Sequence, residues 1–223
     1  LFKGKRILVT GGGTGLGKEM ADEYAGLGAE VYICGRRGPV IEETAQELSK
    51  KNNARVTGIA CDIRVPDAVD DMMTRIFNEG PLNGLVNNAA GNFISRTKDL
   101  SPNGFNAIAN IVFHGTFYVT LAAGKRWIEQ KQKANVISIL TTWVWNGGPF
   151  TVPSAMSKAG LNVMTKSLAV EWAGHGIRLN AIAPGPFPTE GAFSRLMPGS
   201  DLEKQALARI PWRRFGEHGE LTN

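Results

Sequence analysis

The stretch VPSAMSK, residues 152–158, puts a hydroxyl at Ser154 and an amine at Lys158, four positions apart. On a helix such positions stack on one face, so both groups could serve one reacting centre. There the lysine and the serine could together organise an ordered water. Upstream, TTWVWNGG carries Trp143. An indole N–H donates a hydrogen bond but is no acid near neutral pH, and a serine hydroxyl ionises well above tyrosine's pKa of about 10. Trp143 reads equally as a pocket wall, a hydrogen-bond donor or a packed aromatic. His114, in IVFHGTF, has an imidazole suited to proton shuttling, although a lone histidine beside Phe113 and Gly115 also reads as a packing residue.

A second centre lies near the N-terminus, where KRILVT runs directly into GGGTGLG and a helical pattern starts at once. A strand-to-helix turn built from Gly11, Gly13, Thr14, Gly15, Leu16 and Gly17 lets a pyrophosphate approach the main chain and aims amide groups at its oxygens. The second apolar run, EVYICGRR, discriminates between dinucleotides. A carboxylate at its end would accept from the ribose 2′-hydroxyl of NAD, whereas this chain has Gly35, Arg36 and Arg37. Two guanidinium forks without a repelling carboxylate favour the 2′-phosphate of NADP(H), the alternative being a solvated basic turn.

The elements that must position these groups alternate along the whole chain. Strand-length apolar runs at 6–10, 30–34, 55–61, 84–87, 135–139 and 178–182 are separated by helical patterns at about 17–27, 41–52, 66–77, 104–132 and 153–174. Such alternation predicts βαβ units and a parallel sheet covered on both faces. With 223 residues, 43% of them hydrophobic, and neither repeat nor linker, residues 1–223 are expected to form one catalytic domain. The net charge of +5 is scattered, which points to a solvated surface or a polyanionic small molecule before nucleic acid. Cys34 and Cys61 lack metal-ligand spacing and read as free thiols; no metal is expected. No apolar run approaches the roughly 20 residues that span a bilayer, so no membrane partner is expected. The expected location is cytoplasmic, or the mitochondrial matrix if a transit peptide preceded Leu1. GEHGELTN at the end reads like the start of another helix, as though the C-terminus were truncated.

TGGGTGLG matches the T-G-x-x-x-G-x-G pattern of the short-chain dehydrogenase/reductase family, which the chain resembles over nearly its whole length. VNNAAG at 86–91 resembles the family's fourth-strand motif, CDI at 61–63 its adenine contact, and NAIAPGPFPTEG at 180–191 its nicotinamide-side loop. The resemblance implies a Rossmann-type doubly wound α/β fold of three layers, strand order 3-2-1-4-5-6-7, with the last strand beyond these residues. It also implies that Asp62, Ile63, Asn88, Ala89, Lys158, Pro184, Gly185 and Phe187 touch the cofactor. Assembly as a homo-oligomer, a dimer or tetramer, would run through the helices around 104–132 and 153–174.

Most of that family uses Y-x-x-x-K, the tyrosine protonating the substrate oxygen. Here Ser154 stands at the tyrosine position. VPSAMSK, AAGNFIS and PGPFPTEGAFSRL are more similar to the 2,4-dienoyl-CoA reductase branch, where a tyrosine eleven residues before the serine substitutes. That position is Trp143, so the substitute is missing too. The branch implies Asn92 as a donor to the thioester oxygen, and Arg64, Phe93, Ser101 and Arg195 around an acyl-CoA. Three readings stay open: an NADPH-dependent reductase of unsaturated acyl-CoA thioesters, a carbonyl or alcohol oxidoreductase, and a catalytically silent NADP-binding protein.

Overall fold

A computed structural model describes residues 1–189 and 199–222. Six strands, β1 (Arg6–Thr10), β2 (Glu30–Gly35), β3 (Val56–Ala60), β4 (Gly84–Asn87), β5 (Ala134–Ile139) and β6 (Ile177–Ile182), pair in parallel in the order β3-β2-β1-β4-β5-β6. This is the expected order as far as the sixth strand. Each predicted strand is present within one residue at either end.

Residues alternate between the sheet's faces because the strand period is two. Ile7, Val9, Val31 and Ile33 pack against α1 (Gly15–Gly26) and α2 (Gly38–Asn52), meeting Met20, Ala21, Ile41 and Leu48. Leu8, Tyr32 and Leu85 turn the other way, toward α3 (Pro66–Glu79) and the Trp127 ring, whose Nε1 donates to the Leu82 carbonyl at 2.7 Å. Both strand faces are covered, which is why these strands read as unbroken apolar runs. Truncating Trp127 to alanine would cost roughly 3–5 kcal/mol at such a site.

The helix expected at about 104–132 is divided. Its first part, α4 (Pro102–Ala109), passes through a π-helical turn, Asn110–Gly115, into α5 (Thr116–Glu129). Gly115 sits where a Cβ would lie 2.7 Å from Ile63 Cγ1, so the turn brings the backbone tight against the loop after β3. Against the sequence reading, the continuous run Pro102–Glu129 is long and apolar enough to cross a membrane by length and composition. Half of its most apolar 18-residue stretch is buried within the molecule, where Trp172 packs on Gly124 and the helix lies along α3, and this is how a core helix of an α/β layer behaves.

Beyond the sheet, α6 (Trp143–Asn146) and α7 (Val152–Glu171) follow β5, and α8 (Ser200–Arg209) and α9 (Gly219–Thr222) end the described chain. Neither α6 nor α8 is among the helical patterns that the sequence presents. Cys34 and Cys61 are free and buried; burial raises both thiols, Cys61 to about 11.

Candidate active site

In a doubly wound sheet the ligand crevice lies outside the carboxyl ends of the strands, where the order reverses. Here β1 separates β2 from β4, and the turns after β1 and β4 are stitched together. Thr10 is the stitch: its hydroxyl accepts from the Asn88 and Ala89 amides, both at 3.0 Å, and donates to the Val86 carbonyl at 3.3 Å. Asn88 Nδ2 in turn donates to the carbonyls of Thr10 and Gly11, at 3.0 and 3.4 Å. Sequence reasoning missed Thr10, although it is the first letter of TGGGTGLG.

The glycine turn fits a pyrophosphate. Gly11 has φ +67° and a Cβ there would lie 2.9 Å from Ala89 Cα, while a Cβ on Gly17 would lie 2.3 Å from the Gly11 carbonyl oxygen. No side chain could occupy either position. The N-cap of α1, Thr14, makes no side-chain cap bond and the first turn holds no acid, so the amides around Gly13, Gly15 and Leu16 open onto an anion's place. At the end of β2, Arg36 and Arg37 are exposed, and the Arg36 charge helps to hold the nearby Asp62 carboxyl down. They precede α2, whose start also lacks a side-chain cap and an acid.

Across the loop after β3, Asp62 and Arg64 form a closed pair. The Arg64 guanidinium reaches both Asp62 oxygens at 2.5–3.0 Å, and the Arg64 amide adds a bond of 3.1 Å. These hydrogen bonds hold the Asp62 carboxyl below its usual range. Ile63 between them is buried against Gly115. Arg64 thus stands beside Asp62, the implied adenine contact, and must share or leave it to meet a second anion.

The reaction end assembles on β5, α7 and the loop after β4. Lys158 is buried, and its Nζ donates to the Ile139 carbonyl at the end of β5. Burial lowers its pKa to about 8. One turn earlier on the same face, Ser154 is also buried. A small apolar cluster of Ile108, Val112, Leu140 and Leu161, with Phe93 and Val144 against it, draws the neighbours of Asn92 and Trp143 toward the Leu161 turn of α7. The Asn92 Oδ1 accepts from the Phe93 amide at 2.9 Å, which leaves its NH₂ as the donor for a ligand.

Trp143 opens α6 and is half-buried; a Cβ on Gly148 would meet its Cδ1 and Nε1 at 2.7 and 2.8 Å, so the indole lies along that loop. His114 sits in the π turn, exposed, its ring 5.4 Å from Phe113 and 6.1 Å from Tyr118, while Val112 is fully buried. Ser101 caps α4, its Oγ accepting from the Gly104 amide at 3.0 Å, with Phe93 near the same turn. Pro184, Gly185 and Phe187 form the loop after β6, and Arg195 lies outside the described residues. Among the described residues no cluster of His, Cys, Asp or Glu could hold a metal ion.

The short chain dehydrogenase family model matches residues 5–195. An uncharacterized oxidoreductase of Caenorhabditis elegans is 48% identical across 100% of this chain and 72% of its own length. A nematode protein described as a probable 2,4-dienoyl-CoA reductase is 46% identical, covering 100% of this chain and 73% of its own. A chain from Agrobacterium tumefaciens solved with bound NADP superposes with a TM-score of 0.89 at 30% identity, over 99% of this chain and 86% of that one. The chain is an oxidoreductase of the short-chain dehydrogenase family, whose members use NAD(P).

Proposed function

We propose that the chain reduces unsaturated acyl-CoA thioesters with NADPH, in the manner of a 2,4-dienoyl-CoA reductase. The reading is supported by a buried Lys158 and by an Asn92 side chain whose oxygen is taken by the Phe93 amide, in a chain with no phenol at either tyrosine position. NADPH, when bound, supplies the hydride. Arg36 and Arg37 would take its 2′-phosphate, the glycine turn its pyrophosphate, and Lys158 the ribose at its nicotinamide end.

Hydride addition to a dienoyl thioester leaves negative charge delocalised onto the thioester oxygen. The Asn92 NH₂ stabilises that charge before any proton arrives. Ser154 and Lys158, on one face of α7, order the water that delivers the proton afterwards. A ketone would instead become an alkoxide, a much stronger base that needs its proton almost concertedly, so losing tyrosine harms carbonyl reduction more. Arg64, Phe93, Ser101 and Arg195 would meet the CoA arm, Arg64 by giving up part of its hold on Asp62.

Comparing steady-state NADPH oxidation on 2,4-hexadienoyl-CoA with a panel of small ketones tests this. Faster turnover of ketones rejects it. Trp143 favours a second reading, a silent NADP-binding protein; tight NADPH binding without turnover on any substrate would establish that instead.

Association with a second copy is also proposed. Met156, Val163 and Val170 are 57%, 61% and 81% exposed at intervals of seven along α7, beside exposed Phe113 and Phe117. This apolar stripe is the expected seam.

A further inference from the structure

The loop after β6 is tied to the glycine turn by a strap from the end of the chain. Gly216 N–H donates to the Pro186 carbonyl at 3.0 Å, and two residues on, a ring nitrogen of His218, Nε2, lies 2.8 Å from the Pro188 carbonyl. The matched spacing, 186 with 216 and 188 with 218, is that of two extended segments running side by side. Phe187 between them lies over Gly216, where a Cβ would come within 2.5 Å of the ring, so the strap needs glycine at that point. At its far end the same loop puts Thr189 against Gly15, 3.3 Å from where a Cβ would stand.

The other nitrogen of the His218 ring, Nδ1, lies 3.4 Å from Glu19 Oε1 on α1, the helix that the glycine turn begins. Both ring nitrogens therefore face acceptors. A neutral imidazole can donate from only one; the imidazolium donates from both. Among the described residues Glu19 is the charged group facing the ring from α1, and the loop presents the Pro188 carbonyl. From the strap itself come Glu217 and Glu220, and Glu220 is committed to Arg214 at 2.7 and 2.8 Å and to the Glu217 amide at 2.8 Å. Leu221 anchors the strap by packing on the core beside α1.

We propose that His218 is a positioning residue for the dinucleotide. Bridging the Pro188 carbonyl and Glu19, it clamps the loop of Pro184, Gly185 and Phe187 to α1, so that loop and glycine turn present one preformed surface to the cofactor. The inference rests on that loop's place at the nicotinamide end, as read above, and not on the acyl substrate.

Dinucleotide affinity measured by calorimetry tests the clamp, using whichever of NADPH and NADH the chain prefers. A preference for NADH would count against the NADPH reading alone. His218→Leu is expected to bind about three- to tenfold more weakly than the wild type, the worth of a partly exposed contact. His218→Arg, which keeps donors for both partners, should restore the affinity. If His218→Leu fails to fold, Glu19→Gln weakens one partner only and should lose affinity. Wild-type affinity in His218→Leu, no rescue in His218→Arg, or no loss in Glu19→Gln overturns the proposal.

Discussion

The Lys158 ammonium donates to the carbonyl oxygen of Ile139, fixing α7 across the end of β5, and among the described residues no carboxylate balances the buried charge. The folded state therefore penalises the protonated form. That penalty is fully present below about pH 8, where Lys158 is charged in both states, and is relieved as pH rises to the unfolded value of 10.5. Between those values the unfolded chain holds more protons at this site, so the stability contribution rises with pH by on the order of 3 kcal/mol. Urea unfolding of the ligand-free protein at pH 7–10.5 should show the wild type gaining on Lys158→Met across this window. A constant difference would contradict the assignment. Lys158→Met should also lose most NADPH turnover.

Trp143 stands where a proton donor is expected and cannot act as one. Trp143→Phe should keep kcat on a dienoyl-CoA within about threefold, whereas Trp143→Tyr should raise it by roughly 10- to 100-fold, the low end of general-acid contributions. Stopped-flow measurement of NADPH oxidation gives both values.

Asn92 has one amide oxygen bound by the Phe93 amide and its NH₂ left for a ligand. Replacing it with alanine removes that donor and should lower kcat by about 10²–10³-fold with little change in NADPH affinity. A loss confined to KM would show that Asn92 binds substrate without stabilising charge.

The basic pair after β2 should set cofactor choice. Arg36→Asp with Arg37→Ser should weaken NADPH at least tenfold and spare NADH, and the loss should shrink at high salt. Titration with both dinucleotides reads this directly.

The sheet was legible because each buried strand is an unbroken apolar run bounded by a turn, and the glycine turn because its spacing answers one backbone geometry. The π turn at Asn110–Gly115 was invisible, since its residues continue the helical pattern and only the approach of Ile63 to Gly115 reveals it. Lys158 could be named from sequence, but its bond to the Ile139 main chain could not, because a carbonyl carries no sequence signature. The closed pair of Asp62 and Arg64 shows the opposite limit: both residues were named, for different ligands, and their mutual bond emerges only when the loop after β3 is folded.

The most direct measurement of the central claim is NADPH oxidation by the wild-type chain on 2,4-hexadienoyl-CoA in deuterated water, with the product weighed by mass spectrometry. The account predicts turnover to an enoyl-CoA carrying one solvent deuterium. Tight NADPH binding with no product would contradict it.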